Sequence, residues 1–116
     1  IQFLSGGVVG VSDTDGKPLW RYAAPANRTA NCSAPLFHDN HVFAASGYNT
    51  GGGLAKLAAG PDGGMTATEV YFTRSMRNHH GGMVLVDGHL YGFDESNLTC
   101  IEVKTGTVKW FNRSVG

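Results

Sequence analysis

Apolar and polar positions alternate in short runs along this chain, and each run ends at glycine, aspartate or asparagine. No stretch of 11 or more residues carries the 3.6-residue periodicity of a helix. The pattern predicts eleven strands, and an all-β fold: Ile1–Leu4, Val8–Ser12, Pro18–Tyr22, Ala34–His38, His41–Ala45, Gly53–Ala58, Ala67–Phe72, Met83–Val86, His89–Phe93, Leu98–Val103 and Val108–Phe111. Between them stand Asp15-Gly16, Asp39-Asn40, Pro61-Asp62-Gly63-Gly64, Asp87-Gly88 and Thr105-Gly106. These residue types tolerate the positive φ that tight hairpins require.

The strands repeat. Sliding the chain by 90 residues puts Phe3 on Phe93, Val8 on Leu98, Val11 on Ile101, Gly16 on Gly106 and Trp20 on Trp110. A degenerate middle copy runs from Gly53 through Pro61-Asp62-Gly63 to Glu69-Val70-Tyr71-Phe72, with Tyr71 or Phe72 where the outer copies have Trp. A period of about 45 residues with four short strands per unit is the signature of a β-propeller blade. The blades divide as 1–22 (the end of one), 34–72 and 83–111.

Thr105-Gly106-Thr107-Val108-Lys109-Trp110 resembles the Thr-Gly-x-x-x-Trp of the quinoprotein-type, PQQ-like β-propeller repeat, and Asp15-Gly16-Lys17-Pro18-Leu19-Trp20 is a looser match. The family's preceding Ala-x-Asp is replaced by Gly10 and Ser12 in one copy and by Cys100 and Glu102 in the other. Asn78-His79-His80-Gly81-Gly82 also resembles uncharacterised extracytoplasmic members. The resemblance covers essentially the whole chain. It implies a propeller segment and an extracytoplasmic, periplasmic or secreted location. A fold of this kind hosts many functions, so it fixes no reaction. Gly16 and Gly106 are expected to close hairpins. Trp20 and Trp110 are expected to be buried and to dock neighbouring blades, each indole covering roughly 150–250 Å².

Composition narrows the partners. Nine Lys+Arg balance nine Asp+Glu, which argues against a basic nucleic-acid footprint. With 41% hydrophobic and 16% charged residues the chain is not disordered, and no apolar run is long enough to span a membrane. Ile1 begins the chain as a strand, which suggests a piece of a longer protein. The expected partners are therefore the remaining blades or partner subunits. An uncovered last blade would expose Leu85, Leu90 and Ile101. A third possibility is a small self-assembling β protein that closes its ring by oligomerisation.

Labelling each blade's strands A to D from the axis outward puts the A–B turns, and most C–D turns, among the short ones. The D–A and B–C connections, Ala23–Ser33, Ser46–Gly52, Thr73–Gly82 and Asp94–Asn97, are longer and carry the candidate site. The candidates are His79, His80, Arg77, Asn78 and Arg74, with Tyr48 and Asn49 across from them, suited to a protein or a small polar ligand, anions included. Adjacent His79 and His80 in extended chain point opposite ways, so no shared metal is expected. His38 and His41 flank a hairpin turn without an evident third ligand. Asp13-Thr14-Asp15-Gly16 lacks calcium-loop spacing. Cys32 and Cys100 fall in different blades and are expected as two buried thiols. Four Asn-x-Ser/Thr triplets begin at Asn27, Asn31, Asn97 and Asn112, glycosylation acceptors in a eukaryotic secreted protein.

The leading functional expectation is a binding or scaffolding segment. The alternative is a fragment of a PQQ-dependent oxidoreductase. There the resemblance implies quinone and calcium bound on the axis by Trp, Arg, Asn and acidic residues. None of these roles maps onto a residue of this chain, and no catalytic residue or cofactor is assigned.

Overall fold

A computed structural model describes residues 1–115. Eleven strands follow in chain order: β1 (Gln2–Leu4), β2 (Gly7–Val11), β3 (Pro18–Tyr22), β4 (Leu36–His38), β5 (His41–Ser46), β6 (Gly51–Ala59), β7 (Met65–Thr73), β8 (Met83–Val86), β9 (His89–Asp94), β10 (Asn97–Glu102) and β11 (Val108–Asn112). They form three antiparallel meanders: β1-β2-β3, β4-β5-β6-β7 and β8-β9-β10-β11. One 3-10 turn, Pro61–Gly63, is the only helical element among the described residues, and no helix there is long and apolar enough to cross a membrane.

The repeat is visible in the hydrogen bonds. The amides of Ser12 and Glu102 donate to the carbonyls of Lys17 and Thr107, at 2.9 and 2.8 Å. Those of Gly16 and Gly106 donate back to Ser12 and Glu102 at 2.9 and 2.8 Å. Both glycines sit at positive φ, 72° and 74°, which a residue with a Cβ adopts only at a cost. A bulge follows Gly10 in β2 and Cys100 in β10, and the residues immediately before the bulges pair with Trp20 and Trp110. In the middle sheet the bulge follows Leu54, whose partner is Tyr71. Tyr71, not Phe72, therefore holds the tryptophan position. The inner turns repeat too: Asp39 and Asn40, like Asp87 and Gly88, lie at positive φ, between 48° and 75°. The histidine after each turn, His41 or His89, uses Nδ1 to bond the turn aspartate's carbonyl, at 2.6 and 3.0 Å.

Two apolar seams join the sheets. Phe3, Val8, Trp20 and Tyr22 of the first pack on Val42, Ala44, Ala55 and Leu57 of the second. Phe43, Ala45 and Leu54, from the opposite face of that second sheet, pack with Met76 on Met83, Leu90 and Ile101 of the third. This explains why β5 reads His-Val-Phe-Ala-Ala-Ser. A strand covered on both faces needs small or apolar residues at every position, whereas β9 alternates buried and half-buried residues. Polar bonds tie the same seams. Tyr22 donates to a Glu69 carboxylate oxygen at 2.6 Å, and Tyr71 donates to the Val103 carbonyl at 2.7 Å. Burial, and for Tyr22 also Glu69, pushes both phenols well above the usual tyrosine range.

Two expectations about the third sheet need correction. Leu90 and Ile101 are fully buried, because they face the second sheet. Trp110 is not buried but 44% exposed, against 8% for Trp20. It lies on the far face of the third sheet, where no described element packs, in one cross-strand row with Cys100, Tyr91 and exposed Val84. The hairpin loop expected over Ser46–Gly52 is also shorter, because Gly51 and Gly52 pair with Ser46 and Ala45.

Candidate functional site

Alternating strand direction sorts the connections onto two ends of the sheets. The turn end carries the tight turns at Asp39-Asn40 and Asp87-Gly88. There the second seam opens into an apolar groove of about 220 Å³, lined by Leu36, Phe43, Leu54, Leu90 and Val103, with His38, His41 and Lys104 at its edge. The loop end carries a more polar cleft of about 500 Å³, lined by Gly47, Tyr48, Arg77, His79, His80, Phe93 and Glu95.

Four of the seven candidate residues, Tyr48, Arg77, His79 and His80, therefore meet in one cleft. Tyr48 projects from the β5–β6 hairpin, held at φ 54°, and is 57% exposed. Its ring meets that of His79 edge-on at 4.9 Å. The rings of His79 and His80 lie 3.7 Å apart. The two histidines thus point the same way, contrary to the alternation expected of extended chain, because they sit in a bend ahead of β8 rather than in a strand. Arg74 and Asn49 are exposed and do not line the cleft.

Arg77 and Asn78 have roles that differ from the expected ones. Arg77 is not a free anion receptor. Its Nε and one terminal nitrogen donate to the two carboxylate oxygens of Asp94 at 2.8 and 3.0 Å, and the other faces Glu95 at 3.3 Å. The Arg77 amide also donates to Asp94 at 2.8 Å. The Asp94 hydrogen bond raises the guanidinium pKa further, so this arginine stays charged and occupied. Asn78 is fully buried and does not face the cleft. Its amide nitrogen donates to the carbonyls of Phe93 and Gly82 at 3.1 and 3.3 Å, and its oxygen accepts from the Ser33 hydroxyl at 2.7 Å.

That Ser33–Asn78 bond joins two successive D–A loops. One residue before Ser33 stands Cys32, and one residue after Asn78 stands His79. Cys32 is exposed, not the buried thiol expected, whereas Cys100 is buried, and both are free. Donor atoms of Cys32, His79 and His80 lie within 4.8 Å of one another. The Cys32 loop is braced by Asn27, whose side-chain oxygen accepts from the Thr29 and Ala30 amides at 2.7 and 2.8 Å. Asn31 reaches the Leu4 carbonyl at 3.2 Å. Sequence reasoning missed Cys32, Asp94 and Glu95 as parts of this site. The available signal was the repeat, since Cys32 and His79 occupy equivalent D–A connections about one period apart.

The sequence profile of the family described as outer membrane protein assembly factor BamB, of the PQQ-like repeat type, matches residues 1–112. The chain belongs to this family. Three consecutive antiparallel meanders joined face to face are consistent with propeller blades of a PQQ-like protein. No curated protein matches the chain.

The quinone and calcium that the family resemblance implies do not fit the residues present. Arg77 spends its guanidinium on two carboxylates, Trp20 is sealed into a seam, and Trp110 lies on the third sheet's far face. Asp15 uses its carboxylate to cap the Lys17 amide at 3.1 Å.

Proposed function

We propose that this chain is a binding or scaffolding segment of an extracytoplasmic PQQ-like β-propeller, its three sheets being consecutive blades (1–22, 34–72 and 83–111) of one propeller. The ligand, a protein surface or a small polar molecule, enters on the loop end. The observation that carries this reading is the polar cleft. It sets an exposed aromatic, two imidazoles and a carboxylate over an Arg–Asp brace on rigid sheets. Such a mixture suits a polar partner rather than a buried apolar one. The groove at the turn end is built from the apolar seam between two sheets, with His38, Asp39, His41 and Lys104 as its polar lining, and its mostly apolar walls suit a polar partner less well.

The test is site-specific photo-crosslinking in the native host, with the reactive side chain placed at Tyr48 or at Asp39. A discrete, reproducible adduct from Tyr48 alone is expected. Adducts from Asp39 alone would assign the binding role to the turn end. Adding pyrroloquinoline quinone to the full-length protein separates the oxidoreductase alternative, because a stoichiometric complex absorbing in the visible would favour it. Fractionation of the host cell checks the location, and recovery in the cytoplasm would refute it.

A further inference from the structure

We propose that Cys32, His79 and His80 form a binding site for a thiophilic transition-metal ion of the zinc class. The inference stands on these three side chains and does not depend on the binding role proposed above.

A thiolate and two imidazoles around a tetrahedral ion have metal–donor distances of about 2.0–2.3 Å, hence donor–donor separations of roughly 3.4–3.6 Å. The donor atoms of the three residues already lie within 4.8 Å of one another, so small side-chain rotations close the set. Ser33 and Asn78, 2% and 0% exposed, clamp the two loops through a 2.7 Å bond, and Cys32 and His79 are their immediate neighbours. Partners that hold ligand-bearing segments in this way raise metal affinity by reducing what must be ordered on binding.

A second observation points to a ligand here. Nδ1 of His79 is buried and has no hydrogen-bond partner. A buried, unsatisfied ring nitrogen is costly, and a metal ion would satisfy it. The ring is held in place, packed between Tyr48 and His80 and against Gly47, where an added Cβ would come within 2.8 Å of the His79 Cβ.

The donor set defines the metal. Sulfur and imidazole select zinc-like and softer ions over calcium and magnesium, which take oxygen donors. Binding exchanges the Cys32 thiol proton for the metal and releases that proton to solvent. Three protein donors leave the fourth position of a tetrahedral ion to water or to a ligand, within the cleft that His79 and His80 line.

The test is titration of the reduced, metal-stripped full chain with Co(II), whose thiolate complexes show a near-ultraviolet charge-transfer band. One equivalent is expected to bind, to give that band, and to be displaced by Zn(II), while Ca(II) does not compete. Cys32→Ser, at an exposed position, is expected to lose the band with an unchanged circular-dichroism spectrum. His79→Ala and His80→Ala are each expected to weaken binding by at least about 10–100-fold. His38→Ala is expected to change nothing. The absence of a thiolate band in the unmodified chain would overturn the proposal. So would equal Co(II) affinity in the unmodified and Cys32→Ser proteins.

Discussion

Trp20 and Trp110 stand at the same point of two copies of one turn, and so do Val11 and Ile101. Their burial is crossed. Trp20 is 8% and Trp110 44% exposed, whereas Val11 is 46% and Ile101 0% exposed. The internal geometry of the two copies is the same, with matching turn bonds and matching bulges. What differs is the neighbour. In each sheet the tryptophan position faces the sheet that follows in the chain, and the Val11/Ile101 position faces the one that precedes. Among the described residues the first sheet has only a follower and the third only a predecessor. Local sequence thus sets where a side chain points, and the adjoining sheet decides whether it is dry. The middle copy has both neighbours: Tyr71 packs on the third sheet and bonds Val103, while Ala55, at the Val11/Ile101 position, packs on the first sheet and is 0% exposed.

The sharpest way to break this comparison is to truncate both pairs. Trp20→Ala should cost about 3–5 kcal/mol and Ile101→Ala about 2–5 kcal/mol. Trp110→Ala and Val11→Ala should each cost no more than about 1 kcal/mol in this 116-residue chain. Chemical denaturation measures all four. If a further blade covers the third sheet in the full-length protein, as the propeller reading requires, Trp110→Ala there should cost as much as Trp20→Ala.

The glycine turns give a smaller contrast. A Cβ at Gly16 would meet nothing within 4 Å, but at Gly106 it would approach the Tyr71 ring to 2.6 Å. Gly16→Ala should cost about 1–2 kcal/mol for its left-handed backbone alone. Gly106→Ala should cost measurably more by the same denaturation assay, and Tyr71→Ala should abolish the excess.

Alkaline titration probes the seams. Tyr22 and Tyr71 keep their protons in the folded state at pH values where the unfolded chain loses them, above about pH 10. The folded state then holds more protons, so stability is intact below that pH and falls as pH rises, by at most about 1.4 kcal/mol per pH unit for each tyrosine. Thermal melts from pH 8 to 11 should show this loss, and Tyr22→Phe should flatten it. Tyr71→Phe should cost about 1 kcal/mol for the lost bond to Val103. A loss near zero would mean that the ring alone docks the third sheet.

Much of the architecture is legible before any coordinates. Alternation and turn residues locate all eleven strands, and the 90-residue offset lands on hydrogen bonds that do repeat. Boundaries shift where glycine runs continue a ladder, as at Gly51 and Gly52. Whether Tyr71 or Phe72 replaces tryptophan depends on a bulge, which spacing alone does not place. The site is legible as a region rather than as a set of roles. Loop length points to His79, His80 and Tyr48. It does not show that Asn78 turns inward to satisfy backbone carbonyls, or that Asp94 engages Arg77 from a strand end. Cys32 escapes notice because it reads as a buried thiol, and the pair His79–His80 because alternation holds only for extended chain, not for a bend. The burial of Trp110 is not encoded within its own blade at all.

The Tyr71 ring over the Gly106 turn joins unlike surfaces: an aromatic on one sheet meets a bare backbone turn on the next. A contact of this kind has a direction, like a link in a chain, and no two-fold axis can generate it. A substitution on one side of such a joint must therefore be answered in the neighbouring repeat, not in its own.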